Sequence, residues 1–215
     1  SNFNALSNTA LAALVLAFND LYRWQLSQTK LSLLSRLGSG SACRSLWPGF
    51  VEWQKGTRAD GLDSHGMPLP FEWHELRIGL IILDENVKPQ SSTQAMQHTV
   101  ATSQLYESWP KKVEHDLHQI KQAIEQKNFP LFGAVVESNA LAMHATMLAA
   151  EPAVIYQQPE TWQTIMKIHK LRQDNTEVFF TEDAGPNIKV IFFEKDLTSV
   201  QKIFPHMQIS TPFPS

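Results

Sequence analysis

The residues best placed for chemistry lie in the run Arg36-Leu37-Gly38-Ser39-Gly40-Ser41-Ala42-Cys43-Arg44-Ser45. Two glycines alternate with small hydroxyl residues, and an arginine follows. Glycine accepts tight or left-handed backbone and lets a ligand come close. Successive N–H groups in such a turn can form an anion-binding nest. A helix beginning near Ser41 would add its free N–H groups and its dipole. Arg44, one turn in, could fork onto two phosphate oxygens. The run reads as a phosphate or diphosphate site built from Ser39, Gly40, Ser41 and Arg44. A plain Ser/Gly linker between two helices is the competing reading.

A second candidate is Glu182-Asp183-Ala184-Gly185-Pro186-Asn187, set between two apolar runs that read as strands, 177–181 and 188–194. Gly-Pro-Asn is strong turn chemistry. It puts Asp183 at a strand end, where a carboxylate can either point into a cleft or bond the turn backbone. Glu182 is expected on the opposite sheet face, exposed. Ser91 and Ser92 precede a helical run at 98–109 and can cap it. His65 and His74 lack spaced carboxylate or thiol partners, so no metal site is expected.

The elements that must position these groups are legible in outline. Leu11, Leu14, Val15, Phe18 and Leu21 recur at helical spacing, predicting a buried helix over 10–22, capped by Asn8 or Thr9. A short helix is expected at 31–37 and a strand at 49–53. The Gly-, Asp- and Pro-rich stretch 57–70 reads as a surface excursion. LRIGLIIL at 76–83 reads as a central strand covered on both faces. Four helices follow. In that over 110–128, Val113, Leu117, Ile120 and Ile124 form the apolar stripe, and Asp116 falls on the solvated face with the lysines. The helix over 131–150 embeds Ser138, Asn139 and His144. Trp162, Ile165, Met166 and Ile168 form the apolar part of a helix over 162–171. A closing helix over 198–204 and a Pro-containing tail end the chain. Strands enclosing a block of helices give an α+β class, an antiparallel layer with helices on one face.

Composition narrows the partners. With 43% hydrophobic and 18% charged residues and a net charge of -3, the 215-residue chain suits one domain or two small ones. It gives no reason to expect nucleic acid or an anionic membrane. The apolar run 10–18 is too short to span a bilayer. A single cysteine, Cys43, precludes an internal disulfide and suits a reducing cytoplasm.

The longer string RLGSGSACRSLWPGFVEWQKG resembles the mevalonate diphosphate decarboxylases, a branch of the superfamily that includes galactokinase, homoserine kinase and mevalonate kinase. The likeness recurs in order in SSTQAMQHTVATS, SNALAMHATML and DAGPN. It implies ATP-dependent decarboxylation of mevalonate 5-diphosphate to isopentenyl diphosphate, with Mg2+, in a homodimer. It implies that Ser39, Gly40, Ser41 and Arg44 hold the diphosphate. Asp183 would stand beside the tertiary hydroxyl, Ser92 would face the ATP phosphates, and the SN…HAT helix would lie beside the cleft. Family members place a glycine- and serine-rich ATP loop ahead of the first helix. The aligned stretch here, 4–10, has lost its glycines and keeps Ser7 as the candidate phosphate contact. By resemblance, 1–75 is the remainder of a first domain and 76–215 a ferredoxin-like second domain. The family's first domain starts further upstream, so a shortened member or a piece of a longer protein is expected. A non-catalytic remnant, or a related kinase that stops after phosphorylation, are the alternative readings.

Overall fold

Helix α1 (Asn2–Leu21) and helix α2 (Gln28–Gly38) open the chain. The computed structural model describes residues 2–84 and 91–213, with side chains from Ala10 onward. The chain divides into two compact units, Ser1–His74 with Pro212–Ser215, and Glu75–Thr211.

In the first unit α1 starts well ahead of the expected position and takes in 4–10. A stretch stripped of glycine and containing alanine and leucine has no reason to leave the helix. The side chain of Ser7 lies outside the described residues. The expected buried stripe is only partly covered: Leu11 and Val15 are half-buried, whereas Leu14, Phe18 and Leu21 are exposed. This helix packs on α2 and on a 3-10 turn, Gly40–Arg44. Helix α2 is capped by Ser27, whose side chain accepts from the Lys30 N–H. Strand β1 (Val51–Trp53) pairs antiparallel with β2 (Gly66–Pro68), so the stretch expected to be a surface excursion ends in a strand. Between these strands, Asp63 accepts from the backbone of Thr57 and Arg58 and closes the loop. Phe213 returns to this unit and meets Phe50 edge-on.

The second unit is built on an antiparallel sheet. Strand β3 (Leu76–Ile81) begins it. Helices α3 (Ser92–Thr102), α4 (Trp109–Glu125), α5 (Phe129–Leu148) and α6 (Pro159–Gln173) follow. Then come β4 (Val178–Glu182), β5 (Ile188–Phe193), α7 (Leu197–Ile203) and β6 (Gln208–Ser210). The sheet order is β4-β5-β3-β6, which makes β3 interior, as its continuous apolar run predicts. The helix expected at 98–109 instead begins at Ser92 and stops at Thr102. A 3-10 turn, Gln104–Ser108, then leads into α4, which has Pro110 in its first turn. The main core joins Val178, Phe180, Ile188, Val190 and Phe192 of the sheet to Ile165 and Ile168 of α6. Trp162 and Met166, expected in the apolar part of this helix, are exposed.

Two buried carboxylates, each with two donors, lock helices in place. Asp116 is buried rather than solvated, because Lys112 and Asn139 donate to it at 2.8 Å each and tie α4 to α5. Glu137 of α5 reaches the edge strand β4, accepting from the Phe180 N–H at 3.0 Å and from Arg172 at 3.0 Å. An edge N–H that would otherwise be open to another chain is thereby capped. Gly133 lets α5 lie directly on the Phe179 ring, since a Cβ there would fall 2.0 Å from Phe179 Cγ.

Candidate active site

Ser39 is both the end of α2 and the start of the 3-10 turn that carries Gly40, Ser41 and Arg44. Its N–H donates to the Ser35 carbonyl at 3.2 Å, and its carbonyl accepts from the Ala42 N–H at 2.9 Å. The N–H groups of Gly40 and Ser41 have no acceptor inside the turn itself. Neither Gly38 nor Gly40 adopts a positive φ, so the left-handed nest expected from the sequence is absent. Gly40 is needed instead for close approach: a Cβ there would fall 2.5 Å from the Trp53 ring. The turn is fixed from beneath. Ala42 and Cys43 are fully buried, and the Ser32 hydroxyl donates to the Cys43 carbonyl at 2.8 Å. The Ser32 Oγ also accepts from the Gly66 N–H at 2.8 Å, so one buried serine joins α2, the turn and β2. Burial pushes the Cys43 thiol above its usual range, which makes it a packing group rather than a nucleophile. Ser39, Gly40 and Ser41 are half-buried and the Arg44 side chain is exposed. The turn therefore gathers all four expected diphosphate contacts on one short segment.

In the second unit the turn between β4 and β5 is held from three sides. Asn187 accepts from the N–H groups of Leu83 and Asp84 at 2.7 and 3.0 Å. Thr161 of α6 donates to the Pro186 carbonyl at 2.8 Å. His144 of α5 donates from Nε2 to the Asp183 carbonyl at 3.1 Å. With its backbone fixed, Asp183 presents an exposed carboxylate, and Lys189 meets it at 2.5 Å. Lys189 is a group the sequence reading did not find. The signal was its place opposite Thr181 on β5, next to the strand end that carries Asp183.

Glu182 is not exposed as expected. Its side chain is fully buried, its Oε1 accepts from Gln157 at 2.5 Å, and its Oε2 lies 3.5 Å from His144 Nε2. Burial pushes the Glu182 carboxyl up to about 7, with the Gln157 hydrogen bond opposing. Ser91 is the cap of α3 in a full capping box with Gln94. That leaves Ser92, half-buried at the first position of the helix, with no side-chain partner among the described residues. Ala95, one turn on, packs in a cluster with Met147, Val154 and Tyr156 that Ala184 joins, so α3 and the Asp183 turn share one core. Among the described residues no group of three or more His, Cys, Asp or Glu could hold a metal. His65 bonds the Gly66 carbonyl, and His74 lies 3.0 Å from Glu72.

Two family models match these two parts of the chain. Residues 3–66 match the diphosphomevalonate decarboxylase-like N-terminal domain, and residues 78–212 match the mevalonate 5-diphosphate decarboxylase C-terminal domain. The chain belongs to the mevalonate 5-diphosphate decarboxylase family. The diphosphomevalonate decarboxylase of Candida albicans is 36% identical over 214 residues, 94% of this chain and 58% of the relative. That of Saccharomyces cerevisiae is 34% identical over 200 residues, 89% of this chain and 50% of the relative. The chain thus spans about half the length of the curated relatives it matches. Among solved structures, the mevalonate diphosphate decarboxylase from Enterococcus faecalis is 36% identical with a TM-score of 0.90, covering 97% of this chain and 65% of that one. The enzyme from Staphylococcus aureus is 33% identical with a TM-score of 0.91, covering 97% and 65%. A further match, at a TM-score of 0.91 and 36% identity, covers 97% of this chain and 66% of the other, and was solved with MVAPP, AMPPCP and magnesium. No described helix is long and apolar enough to cross a membrane.

Proposed function

We propose that the chain catalyses ATP-dependent decarboxylation of mevalonate 5-diphosphate to isopentenyl diphosphate. One observation carries this reading. A chain of this family presents an exposed Arg44 on a serine turn and, at the DAGPN turn, an Asp183 carboxylate paired with Lys189. Ser39, Gly40, Ser41 and Arg44 hold the diphosphate, with Arg44 supplying the fork of charged donors. Asp183 orients the 3-hydroxyl and takes its proton as the oxygen attacks the γ-phosphorus. ADP leaves, and the new 3-phosphate group then departs with its C–O electrons. The carboxylate is lost as carbon dioxide, and its bonding pair forms the new double bond. An aspartate is a weak base at its ordinary pKa near 4. Positioning therefore matters more than basicity, and Lys189 is the basic neighbour that fixes the carboxylate.

Ser92, at the start of α3, is the phosphate contact proposed for ATP, and the resemblance implies Ser7 as a second. Magnesium is the ion that would come with the nucleotide, a reading supported by the relative solved with MVAPP, AMPPCP and magnesium. The lone, buried Cys43 suits a reducing cytoplasm, and the resemblance implies a homodimer.

A second reading, diphosphate binding without turnover, is favoured by one feature. Residues 4–10 are helical where the resemblance implies an ATP loop. Turnover and binding measured on the same preparation separate the two. Arg44→Ala is expected to weaken mevalonate 5-diphosphate binding about 100-fold. Asp183→Ala is expected to retain binding and lose carbon dioxide release. Undiminished release in Asp183→Ala would remove that residue from the chemistry.

A further inference from the structure

Glu182 stands beside the proposed catalytic aspartate, yet its carboxylate points the other way, into the protein. Its side chain has no exposed surface, and its Oε2 has no hydrogen-bond partner among the described residues. A buried, unpaired carboxylate oxygen is costly unless something is gained by keeping it. The nearest candidate partner is His144 Nε2 at 3.5 Å, and that same nitrogen lies 3.1 Å from the Asp183 carbonyl. One ring nitrogen therefore faces two oxygens, and it carries one proton or none.

We infer that His144, Glu182 and Gln157 form a buried clamp on the Asp183 backbone, in which His144 and Glu182 act as positioning residues for the Asp183 carboxylate. The clamp has two arrangements. With Glu182 ionised, the Nε2 proton of His144 serves the Asp183 carbonyl and leans toward Oε2. With Glu182 protonated, its Oε2–H is a donor that needs an acceptor. The imidazole supplies one by carrying its proton on Nδ1 and turning the Nε2 lone pair to Oε2. The Asp183 carbonyl then keeps the Gly185 N–H at 2.7 Å within the turn but loses its tie to α5. Only O–H and N–H protons move between the arrangements, and one proton is taken from or released to solvent. Gln157 fixes Oε1 in both, so the exchange is confined to Oε2.

The surroundings favour a local exchange. His144 on α5 is the titratable group directly against Glu182. Asp84, after β3, accepts from Gln158 at 2.8 Å. Asp183 and Lys189, on the turn and on β5, are engaged with each other at the surface. The Glu182 carboxyl, raised by burial to about 7, places the exchange near neutral pH. Ionisation tightens the clamp, so the Asp183 carboxylate is held best above that pH.

The consequence for turnover rests on the proposed role of Asp183, but the proton arrangement does not, and the test keeps them apart. Long-range proton–nitrogen correlation spectra of the nitrogen-15-labelled full chain report the His144 tautomer across pH. The Nε2–H form is expected above about pH 7 and the Nδ1–H form below it. In Glu182→Gln, whose amide is a permanent donor, the Nδ1–H form is expected at every pH. In His144→Gln the Asp183 clamp is expected to stay closed at every pH, with no step in the Asp183 and Ala184 amide shifts. An unchanging tautomer in the wild-type chain overturns the clamp, even if neither variant folds. So does a doubly protonated ring appearing at the same pH in wild type and Glu182→Gln.

Turnover supplies the second readout. Glu182→Gln is expected to lower kcat about tenfold, to leave KM within about twofold, and to abolish the rise in kcat through pH 7. An unchanged kcat profile in an active preparation overturns the positioning role. A wild-type chain without turnover overturns the functional reading, while the tautomer still decides the clamp.

Discussion

Replacing Glu182 by glutamine should change how the stability of the second unit depends on pH, and the size of the change follows from burial. In the unfolded chain a glutamate titrates near 4.5, whereas in the fold the Glu182 carboxyl titrates at about 7. Between those values the native state holds a proton that the unfolded state has released. Stability therefore falls as pH rises through the window, and the loss is complete above about pH 7. The gap corresponds to roughly 3 kcal/mol. Glutamine cannot ionise, so the variant lacks this loss. Glu137 and Asp196 are also raised by burial, but they titrate alike in both chains and cancel in the difference. Urea denaturation of both proteins at several values from pH 4.5 to 8 reads the effect. The variant's midpoint should gain on the wild type by about 1.5 M urea across that range, taking an m-value of about 2 kcal/mol/M. Midpoints that run parallel from pH 4.5 to 8 would refute the claim that Glu182 is held protonated by burial.

Three further outcomes are expected. Lys189→Met removes the charge at the Asp183 carboxylate and should lower kcat about tenfold with little effect on diphosphate affinity, read by steady-state kinetics. Ser32→Ala leaves the Cys43 carbonyl and the Gly66 N–H without their shared partner, and should cost about 2 kcal/mol by urea denaturation while weakening diphosphate binding. Gly133→Ala drives a methyl into the Phe179 ring and should destabilise the second unit by about 2 kcal/mol or more, with the melting temperature as readout.

Local chemistry carried much of the fold and part of the site. The Gly-Pro-Asn signal marks the turn that presents Asp183, and the unbroken apolar run at 76–83 marks the interior strand. The Ser91 cap could be read from its spacing to Gln94. Three features were hidden for physical reasons. Strand alternation put Glu182 on an open face, but β4 leaves no face open. Val178, Phe179, Phe180 and Glu182 are all buried, because α5 and α6 both pack on that strand. Asp116 read as solvated because its partner Asn139 comes from another helix, which helical spacing does not register. Gly40 read as a loop glycine that lets a ligand come close, whereas the group it admits is the Trp53 ring, a contact across 13 positions that local composition does not carry. Lys189 escaped notice because a lysine on a strand is ordinarily a solvated edge residue; only strand register places it by Asp183.

The most direct measurement is release of labelled carbon dioxide from carboxyl-labelled mevalonate 5-diphosphate, with and without Mg-ATP, alongside phosphate release on the same sample. Equal amounts of carbon dioxide and phosphate, formed only with Mg-ATP and lost in Asp183→Ala, are expected. A phosphorylated product without carbon dioxide, or release that ignores ATP, would contradict the proposed decarboxylation.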